Sequence, residues 1–255
     1  MKPKERKDQI FSYLHAMQRE CTIDELAEKM HVSPLTIRRD LNDLLERRLI
    51  VRTYGGCMYG GMSAIESEYH KKVTTNYEIK QAIGKAAARH VSNGDVILIN
   101  DGSTTYHLAT CLGRLESLTV FTNSIAMIPA FNSHGNIVIY LLGGRYNIGY
   151  NHLSGSLTEQ MLEKMSLDIV FLGVDAIDPD GRCLSNTTED ARLAQMMLRA
   201  ARKKVLLADN TKINGKGFHS YALLEEFDLF ITNKSDDKGL IKKFREMTTI
   251  QEVRL

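Results

Sequence analysis

The sequence predicts an α/β protein in two parts: a winged helix-turn-helix at the N-terminus and a larger domain built on a parallel sheet. Three observations lead to this prediction. Residues 1–60 show the pattern of three short helices followed by a β-hairpin. From residue 78 onward, near-continuous apolar strands alternate with helical stretches, as in a sheet covered on both faces. The predicted boundaries are residues 1–60 for the first domain, 61–76 for a flexible, polar linker and 77–255 for the second domain.

Length and composition indicate a globular protein without a membrane-spanning segment. The 255 residues are 43% apolar, and no apolar run reaches the roughly 18 residues that a membrane span needs. The charged N-terminus, MKPKERKDQ, argues against a signal peptide, and the four cysteines lie far apart without CxxC spacing. We therefore expect a cytoplasmic protein with reduced thiols. The eight histidines are scattered and no Walker or Rossmann glycine motif is present, so we expect neither a metal site nor a cofactor.

The excess positive charge lies in the first quarter of the chain. Residues 1–60 carry 11 Lys and Arg against 9 Asp and Glu, whereas residues 61–255 carry 22 of each. Within the first part, residues 29–52 hold six basic and three acidic side chains. This modest basic region suits a nucleic-acid partner, but alone it barely favours one over an ordinary solvated surface.

The first sixty residues contain the signals of three helices. Residues 4–18 place apolar side chains at helical spacing, and Thr22 with Glu25 forms the capping-box pattern that opens a second helix. Ser33 then caps a third helix, with Pro34 at its first position, where no amide partner is needed. A short helix, a tight turn and a further helix are the elements of a helix-turn-helix.

The exposed face of the third helix carries groups that can bind DNA. At about 100° per residue, Ile37, Leu41 and Leu44 share an apolar sector. Arg39 lies almost opposite the centre of this sector, and Arg38 stands at its boundary. Hydroxyl, amide and guanidinium groups are those that contact phosphates and base edges in a major groove. We therefore predict that this helix binds DNA, with Ser33 on a phosphate and with major-groove contacts from Thr36, Arg38, Arg39 and Asn42.

A β-hairpin is predicted directly after the third helix. Two short β-prone runs in residues 49–59 flank Gly55 and Gly56, which makes the domain a winged helix. Arg52 and the glycine tip are placed to touch the sugar-phosphate backbone. The alternative is a plain three-helix bundle whose charges are merely solvated, and the arginine pair alone favours that alternative. The cap, the face geometry, the wing and the charge localisation together favour DNA binding.

The second domain is predicted from its alternating strands and helices. Residues 79–90 and 189–203 are predicted to be helical. Apolar strands are predicted at residues 96–100, 119–122, 137–142, 169–172, 205–208 and 229–232. Ligands of such sheets bind beyond the carboxyl ends of the strands, so the residues that follow the strands are the candidate site.

Polar residues and glycines recur at five of these strand ends. They offer hydroxyl, amide, guanidinium, carboxylate and ammonium groups, a mixture that suits a small polyhydroxy compound bearing a phosphate. Each one taken singly is also explained as a helix cap, a turn or a surface charge. We predict a ligand site made of Asp101, Gly102, Ser103, Thr104, Thr105, Asn123, Gly143, Gly144, Arg145, Asp175 and Lys212.

Motifs in both parts resemble one protein family. The N-terminal motifs are similar to the DNA-binding signature of DeoR-type bacterial repressors: DELA (24–27), VS (32–33), TIRRDL (36–41) and RTYGG (52–56). Tyr54 departs from that signature, which usually has His before the two glycines. Residues 75–234 resemble the effector domain of the same family through DGSTT (101–105), TNS (122–124), LGG (142–144), FLGVD (171–175) and ADNTK (208–212).

The resemblance implies a fold and a role for the second domain. The family's effector domain is similar in fold to ribose-5-phosphate isomerase, and a phosphorylated sugar or related metabolite binds it and changes the affinity for operator DNA. In the isomerase a glycine-rich stretch with a catalytic lysine follows an aspartate pair, whereas residues 182–189 (RCLSNTTE) contain neither. Without its proton-transfer groups the pocket is expected to be a sensor and not an enzyme. Residual isomerase activity is the alternative.

Residues and resemblance together predict a DNA-binding transcriptional regulator, specifically a repressor of sugar-catabolic genes. Its expected partners are double-stranded operator DNA, a small phosphorylated sugar as effector, and further copies of itself in a homo-oligomer. A transcriptional activator is the alternative, because these two domains serve both kinds of regulator.

Overall fold

The computed structural model describes residues 3–17, 19–46, 50–53, 55–59, 69, 71–131, 137–148 and 150–254. Contacts divide the chain into two compact units, one of Met1–Lys71 with Ile148–Tyr150 and one of Lys72–Asn147 with Asn151–Leu255. Within the described part of the chain, no helix combines the length and the apolar character that crossing a membrane requires.

The N-terminal unit consists of three helices and a small antiparallel sheet. Its helices are α1 (Pro3–Met17), α2 (Ile23–Met30) and α3 (Pro34–Glu46). Its strands are β1 (Cys21–Thr22), β2 (Ile50–Arg52) and β3 (Gly56–Tyr59), in the order β1-β3-β2. The predicted helix-turn-helix and its wing are therefore confirmed. Gln18, Leu49 and Tyr54, which the sequence places in the first helix and the wing, lie outside the described residues.

The capping signals of the sequence start and stop these helices as predicted. Thr22 Oγ1 accepts a hydrogen bond from Glu25 N at 3.1 Å, and Ser33 Oγ accepts one from Thr36 N at 3.3 Å. His31 ends α2 in the left-handed conformation, with φ of 53°. The turn between α2 and α3 is thus built from local hydrogen bonds.

The buried face of α3 holds the three helices together. Ile37, Leu41 and Leu44 are almost completely buried in the core of this unit. On the same face, the Asp40 carboxylate accepts a hydrogen bond from Arg6 Nε of α1 at 2.6 Å and a second guanidinium bond at 3.3 Å. Both side chains are buried, so this charged pair holds α1 against α3 in addition to the apolar contacts.

The second unit is built on a seven-stranded parallel sheet in the order β15-β14-β12-β9-β4-β5-β6. Its strands are β4 (Val96–Ile99), β5 (Leu118–Thr122), β6 (Ile137–Leu141), β9 (Leu167–Leu172), β12 (Ala201–Leu207), β14 (Leu229–Asn233) and β15 (Thr249–Val253). The six predicted strands are confirmed, and β15 is a seventh that the sequence pattern misses.

Helices cover this sheet, and two smaller sheets flank it. The helices are α4 (Tyr77–Ala88), α5 (Ser103–Ala109), α6 (Ser156–Leu162), α7 (Thr188–Arg199) and α8 (Lys238–Arg245). A hairpin joins β7 (Arg145–Asn147) to β8 (His152–Ser154), and a further antiparallel sheet contains β10 (Ala176–Ile177), β11 (Arg182–Ser185) and β13 (His219–Leu223). The helix predicted for residues 189–203 is wrong in its last part, because β12 begins at Ala201.

Helices α4 and α5 pack closely against each other beside the carboxyl ends of the central strands. A Cβ on Gly84 of α4 would lie 2.5 Å from the carbonyl carbon of His107 in α5, so the two helices touch through backbone. His107 Nε2 in turn donates a hydrogen bond to Val73 O at 3.0 Å. This bond attaches the end of the predicted linker to the second unit, while residues 60–68 and 70 lie outside the described part.

Replacing Asp40 with alanine should destabilise the N-terminal unit by about 3–5 kcal/mol, because it removes the carboxylate that neutralises the buried Arg6 guanidinium. Asp43→Ala is the matched control. It breaks an ion pair with Lys7 whose aspartate is 42% exposed, and it should cost less than about 1 kcal/mol. Hydrogen exchange of the α1 and α3 amides in the full chain, measured against urea concentration, gives both values. Equal costs would contradict the role assigned to Asp40.

Candidate functional site

The outer face of α3 presents the residues predicted to bind DNA. Arg38, Arg39, Asn42 and Ser33 are exposed, and Thr36 is half-buried. The structure exposes Arg38 fully, although the helical geometry places it at the edge of the apolar sector. Both guanidinium groups of the pair are therefore available on a surface opposite the buried core face of the helix.

The hydroxyl groups of Ser33 and Thr36 on this face are hydrogen-bonded to each other. Ser33 Oγ and Thr36 Oγ1 lie 3.0 Å apart, and Ser33 also accepts the capping bond from the Thr36 amide. The pair thus builds the start of α3. Contacts of these hydroxyls with DNA remain a prediction.

The wing is fastened to the start of the helix-turn-helix. Glu20 Oε1 accepts hydrogen bonds from Thr53 Oγ1 at 2.5 Å and from Gly55 N at 3.2 Å. A Cβ on Gly56 would lie 2.1 Å from Cys21 O, so only glycine permits β3 to approach β1 this closely. Arg52 is exposed on β2 beside this tip, as the predicted backbone contact requires. The sequence does not reveal the part played by Glu20, since it lies 33 residues before Thr53 and belongs to no motif.

The predicted ligand residues gather where the strand order of the large sheet reverses. After β4 the chain adds β5 and β6 on one side, and after β9 it adds β12, β14 and β15 on the other. Such a reversal opens a crevice at the carboxyl ends of the two central strands. Asn100 Oδ1 spans it, accepting hydrogen bonds from Gly173 N at 3.0 Å and Gly102 N at 3.4 Å.

Two lysines and a serine form the cationic end of this site. Lys80 of α4 is 3% exposed, and its ammonium group donates a hydrogen bond to Ser103 Oγ at 3.1 Å. Burial lowers the pKa of Lys80, the charge of Asp209 opposes this effect, and the charge of Lys212 adds to it. Lys212 lies at the end of the short 3-10 turn after β12, and its place in the site remains a prediction. A group carrying negative charge would stabilise both ammonium ions.

Lys80 is a residue that the sequence interpretation misses. Its signal is a single lysine on the buried face of α4, in line with Ile83 and Ala87. A lysine at such a position is often explained by a stem that extends to solvent. Its meaning becomes visible only when the fold brings α4 next to Ser103, which lies 23 residues further along the chain.

Carboxylates and a histidine form the other end of the site. His152 Nδ1 of β8 donates a hydrogen bond to Asp101 Oδ2 at 2.7 Å, and its Nε2 lies 3.5 Å from Asp190 Oδ1. Asn123 Nδ2 donates to Asp101 Oδ1 and to Leu153 O, both at 3.3 Å. Asn123 Oδ1 is buried and has no hydrogen-bond partner among the described residues. The sequence places His152 near the predicted pocket loops but favours packing or a surface position for it, whereas the structure places its ring against Asp101 and Asp190.

The charges of this end are strongly coupled. Burial alone would lower the pKa of His152, but the hydrogen bond and charge of Asp101, helped by Asp190 and Glu189, raise it above its usual value. Burial would raise the pKa of Asp101, and the bond from His152 more than reverses this. The pKa of Asp190 is raised, mainly by burial. The carboxylates therefore favour the protonated form of His152.

The glycines after β6 allow the β7–β8 hairpin to lie against α6. Gly144 has a φ of 152°, and a Cβ there would come within 2.2 Å of Thr158 Oγ1. The Gly143 carbonyl accepts a hydrogen bond from Thr158 Oγ1 at 2.6 Å. Next in the chain, Arg145 forms an ion pair with Glu189, which lowers the pKa of that carboxylate. The exposed Arg145 side chain is thus held in an ion pair at the rim of the predicted site.

Three further predicted residues are engaged in shaping the loops. Thr105 is fully buried and donates hydrogen bonds to Asn100 O at 2.8 Å and Gly102 O at 2.7 Å. Thr104 is also buried. Asp175 Oδ2 accepts a hydrogen bond from Asn186 N at 3.0 Å. Direct ligand contacts by these side chains remain predictions. Among the hydroxyl groups of DGSTT, that of Ser103 is the one that accepts a hydrogen bond from Lys80.

Metal ligation finds no structural support in this part of the chain. Within the described ranges, no group of three or more His, Cys, Asp or Glu side chains could hold a metal ion. The four cysteines are free thiols, and burial raises the pKa of Cys21 to about 11 and of Cys57 to about 12.

Comparison with known families matches both units. A family model described as a DeoR-like helix-turn-helix domain matches residues 6–66, and one described as the DeoR C terminal sensor domain matches residues 75–234. The family resemblance of the motifs is thereby confirmed.

Curated relatives match over nearly the whole chain. The HTH-type transcriptional regulator GlpR of Haloferax volcanii is 32% identical, over 93% of this chain and 92% of its own. The HTH-type transcriptional repressor GlcR of Bacillus subtilis is 31% identical, over 92% and 90%. The glycerol-3-phosphate regulon repressor of Escherichia coli is 28% identical, over 82% and 83%.

Among solved structures, ribose 5-phosphate isomerase A of Methanocaldococcus jannaschii is similar to part of the chain. Sequence identity is 19%, the match covers 54% of this chain and 55% of that one, and the TM-score is 0.40.

Replacing His152 with glutamine should remove a pH dependence of the second unit's stability. A pKa raised by folding stabilises the protein fully below the unfolded-state value of about 6.5, and this stabilisation is lost as pH rises through the folded-state value. The wild type should therefore lose stability as pH rises above about 6.5, and His152→Gln should lose less. Urea midpoints measured at a series of pH values on both sides of this value test the prediction. His90→Gln, which removes a ring bound to Gln251, is the control and should follow the wild type.

Proposed function

The chain belongs to the DeoR family of DNA-binding transcriptional regulators, and on this premise we propose that it represses genes of sugar or glycerol-phosphate catabolism. Its helix-turn-helix binds an operator, and its sensor domain responds to a phosphorylated metabolite. Relatives named as repressors, among them the glycerol-3-phosphate regulon repressor, support this choice of target. Such a repressor works in the cytoplasm, where its operator DNA lies.

DNA recognition is proposed to rest on the outer face of α3. Arg38, Arg39 and Asn42 are exposed there, on a helix whose opposite face is locked by the Arg6–Asp40 pair. A rigid helix that offers guanidinium and amide groups can read base edges in a major groove without reorganisation. Arg52 on the wing supplies a backbone contact, Ser33 contacts a phosphate at the helix start, and Thr36 contacts the major groove.

The effector is proposed to be a small phosphorylated sugar or polyol. The observation that carries this proposal is the buried Lys80 ammonium, which donates a hydrogen bond to Ser103 Oγ at the start of α5. A phosphate group placed there would neutralise Lys80, and Lys212 is proposed to bind it as well. At the other end Asp101 offers a carboxylate that binds hydroxyl groups well. The two ends thus match a molecule with a phosphate at one end and hydroxyls at the other.

We propose that ligand binding acts on DNA affinity within a homo-oligomer. A two-fold symmetric operator presents two half-sites, so two copies of the helix-turn-helix bind it together. A ligand that binds one arrangement of the oligomer better than another shifts the population between them. The same logic serves an activator, which remains the alternative. It would be favoured if loss of the protein lowered transcription from its operator.

An isomerase-like activity is the alternative that the sequence leaves open, and membership of a family of transcriptional regulators does not favour it. The pocket has the lysine and hydroxyl groups of a phosphate site, but residues 182–189 lack the lysine and glycines that accompany catalysis in the similar enzymes. Incubation of the purified protein with pentose and hexose phosphates decides the question, and turnover would overturn the assignment as a sensor.

Arg39→Ala should weaken binding to operator DNA by roughly 10- to 100-fold, because it removes a guanidinium aimed at the major groove. The measurement uses a duplex selected by the wild-type protein from a random-sequence pool. Arg199→Ala is the control, since it removes an equally exposed helical arginine from α7. Unchanged affinity of Arg39→Ala would count heavily against the proposed docking face.

Lys80→Met should raise the dissociation constant of the effector by at least roughly 10-fold, because a charge-assisted hydrogen bond is lost. Thermal shifts of the wild type against glycerol 3-phosphate and pentose and hexose phosphates first identify the ligand. The variant should still bind operator DNA but no longer respond. Ser103→Ala and Lys212→Ala should behave in the same way.

Lys85→Met is the matched control, because this lysine lies on the same helix but is exposed. It should respond like the wild type. A normal response of Lys80→Met would refute the placement of the phosphate, and it would leave the DNA-binding proposal untouched.

A further inference from the structure

The two edge strands of the large sheet differ in character. At one edge β15 reads TIQEV, and its Glu252 forms an ion pair of 2.7 Å with Arg245 of α8. At the other edge β6 reads IVIYL and has no charged residue. Edge strands are usually protected by charges or by cover, because their free N–H and C=O groups pair readily with another strand. In the described part of the sheet no strand pairs with the outer side of β6.

Exposed apolar side chains concentrate at this edge. Seven of the eleven large apolar side chains that the described residues expose lie between residues 138 and 161, which rules out random scatter. Five of them, here called the β6 patch, come from β6 and α6: Val138 (53% exposed), Tyr140 (51%), Leu141 (39%), Leu157 (61%) and Met161 (36%).

The β6 patch is continuous with the strand and partly rigid. Val138 and Tyr140 point to one face of the sheet and Leu141 points to the other, since side chains alternate along a strand. The ring of Tyr140 stacks on that of Phe121 in β5, with centroids 4.8 Å apart and planes at 13°. Met161 Sδ lies 3.2 Å from Gly143 N, two residues beyond β6, and joins the α6 side chains to the strand.

We propose that the β6 patch is the surface on which a second copy of this chain packs across a two-fold axis. A two-fold axis brings the two β6 strands together antiparallel, which lets identical uncharged edges pair with each other. The five side chains expose on the order of 450 Å², close to the apolar share of the ~800 Å² that each partner buries in a standard interface. The inference depends on the proposed function in one respect: binding to a two-fold symmetric operator requires two DNA-binding units.

Light scattering coupled to size exclusion tests the proposal. The wild type should have at least the mass of a dimer, and Val138→Arg with Tyr140→Arg should raise the dissociation constant of the dimer by roughly 100-fold or more. The control is Tyr77→Arg with Phe218→Arg, which places the same charges on exposed aromatic positions outside the patch. It should keep the wild-type mass. A monomeric wild type, or a patch variant of unchanged mass, would overturn the proposal.

Hydrogen exchange of the wild type covers the case in which the patch variant fails to fold. The β6 amides should exchange more slowly at high protein concentration than after dilution, because association protects the strand edge. Equal exchange at both concentrations would also overturn the proposal.

Failure of this inference differs from failure of the proposed function. A monomeric patch variant should keep its Lys80-dependent ligand response and bind a single half-site. A wild type that dimerises but selects no DNA sequence would refute the proposed function and leave the β6 patch intact. A wild type that selects DNA but has the mass of a monomer would refute only the β6 patch.

Discussion

Close packing of Gly102 against Gly173 is the constraint on which the sensor domain depends. A Cβ on Gly102 would lie 3.3 Å from the Gly173 Cα, so the loops after β4 and β9 touch without side chains between them. This contact lets the single Asn100 amide bind both loops. It also fixes the direction in which the residues on either side of Gly102 leave the sheet. Asp101 meets the histidine end of the site, and Ser103 meets the lysine end.

Charges of opposite sign occupy opposite ends of this crevice. Buried ionised groups are costly, and a chain that needed only a stable sheet would gain from apolar residues at the same positions. Lys80 is buried, and the charge of Asp209 offsets part of its desolvation while the charge of Lys212 adds to the cost. Asp190 is half-buried beside the His152 ring, and the charge of Asp101 adds to the rise of its pKa. On the proposed function, a ligand whose charges and hydroxyl groups complement these side chains releases part of the cost, which accounts for charged groups at such a site.

Sequence patterns predicted the elements whose signal lies in one short stretch of chain and does not depend on which particular residues pack against them. Strands such as β4 and β9 are apolar throughout because both faces are buried, and this is visible in one short stretch of chain. The edge strand β15 (TIQEV) has only two apolar residues, and the adjacent polar pair Gln251 and Glu252 breaks the alternation that indicates a half-buried strand. The start of β12, Ala201–Lys203, has good helix formers, but it pairs with β9, and that pairing overrides local propensity. Lys80 and His152 gain their roles from partners 23 and 51 residues away, which no local pattern encodes.

The structure of α3 separates folding from recognition along one helix. Ile37 and Asp40 hold the helix in place, while Arg39 and Asn42 make no contribution to that core. If the outer face binds DNA as proposed, substitutions there change which sequence is read and leave the stability of the unit almost untouched. A scaffold of this kind can acquire new operators by a few surface exchanges after gene duplication. It also offers a practical route to regulators that pair an existing metabolite response with a chosen promoter.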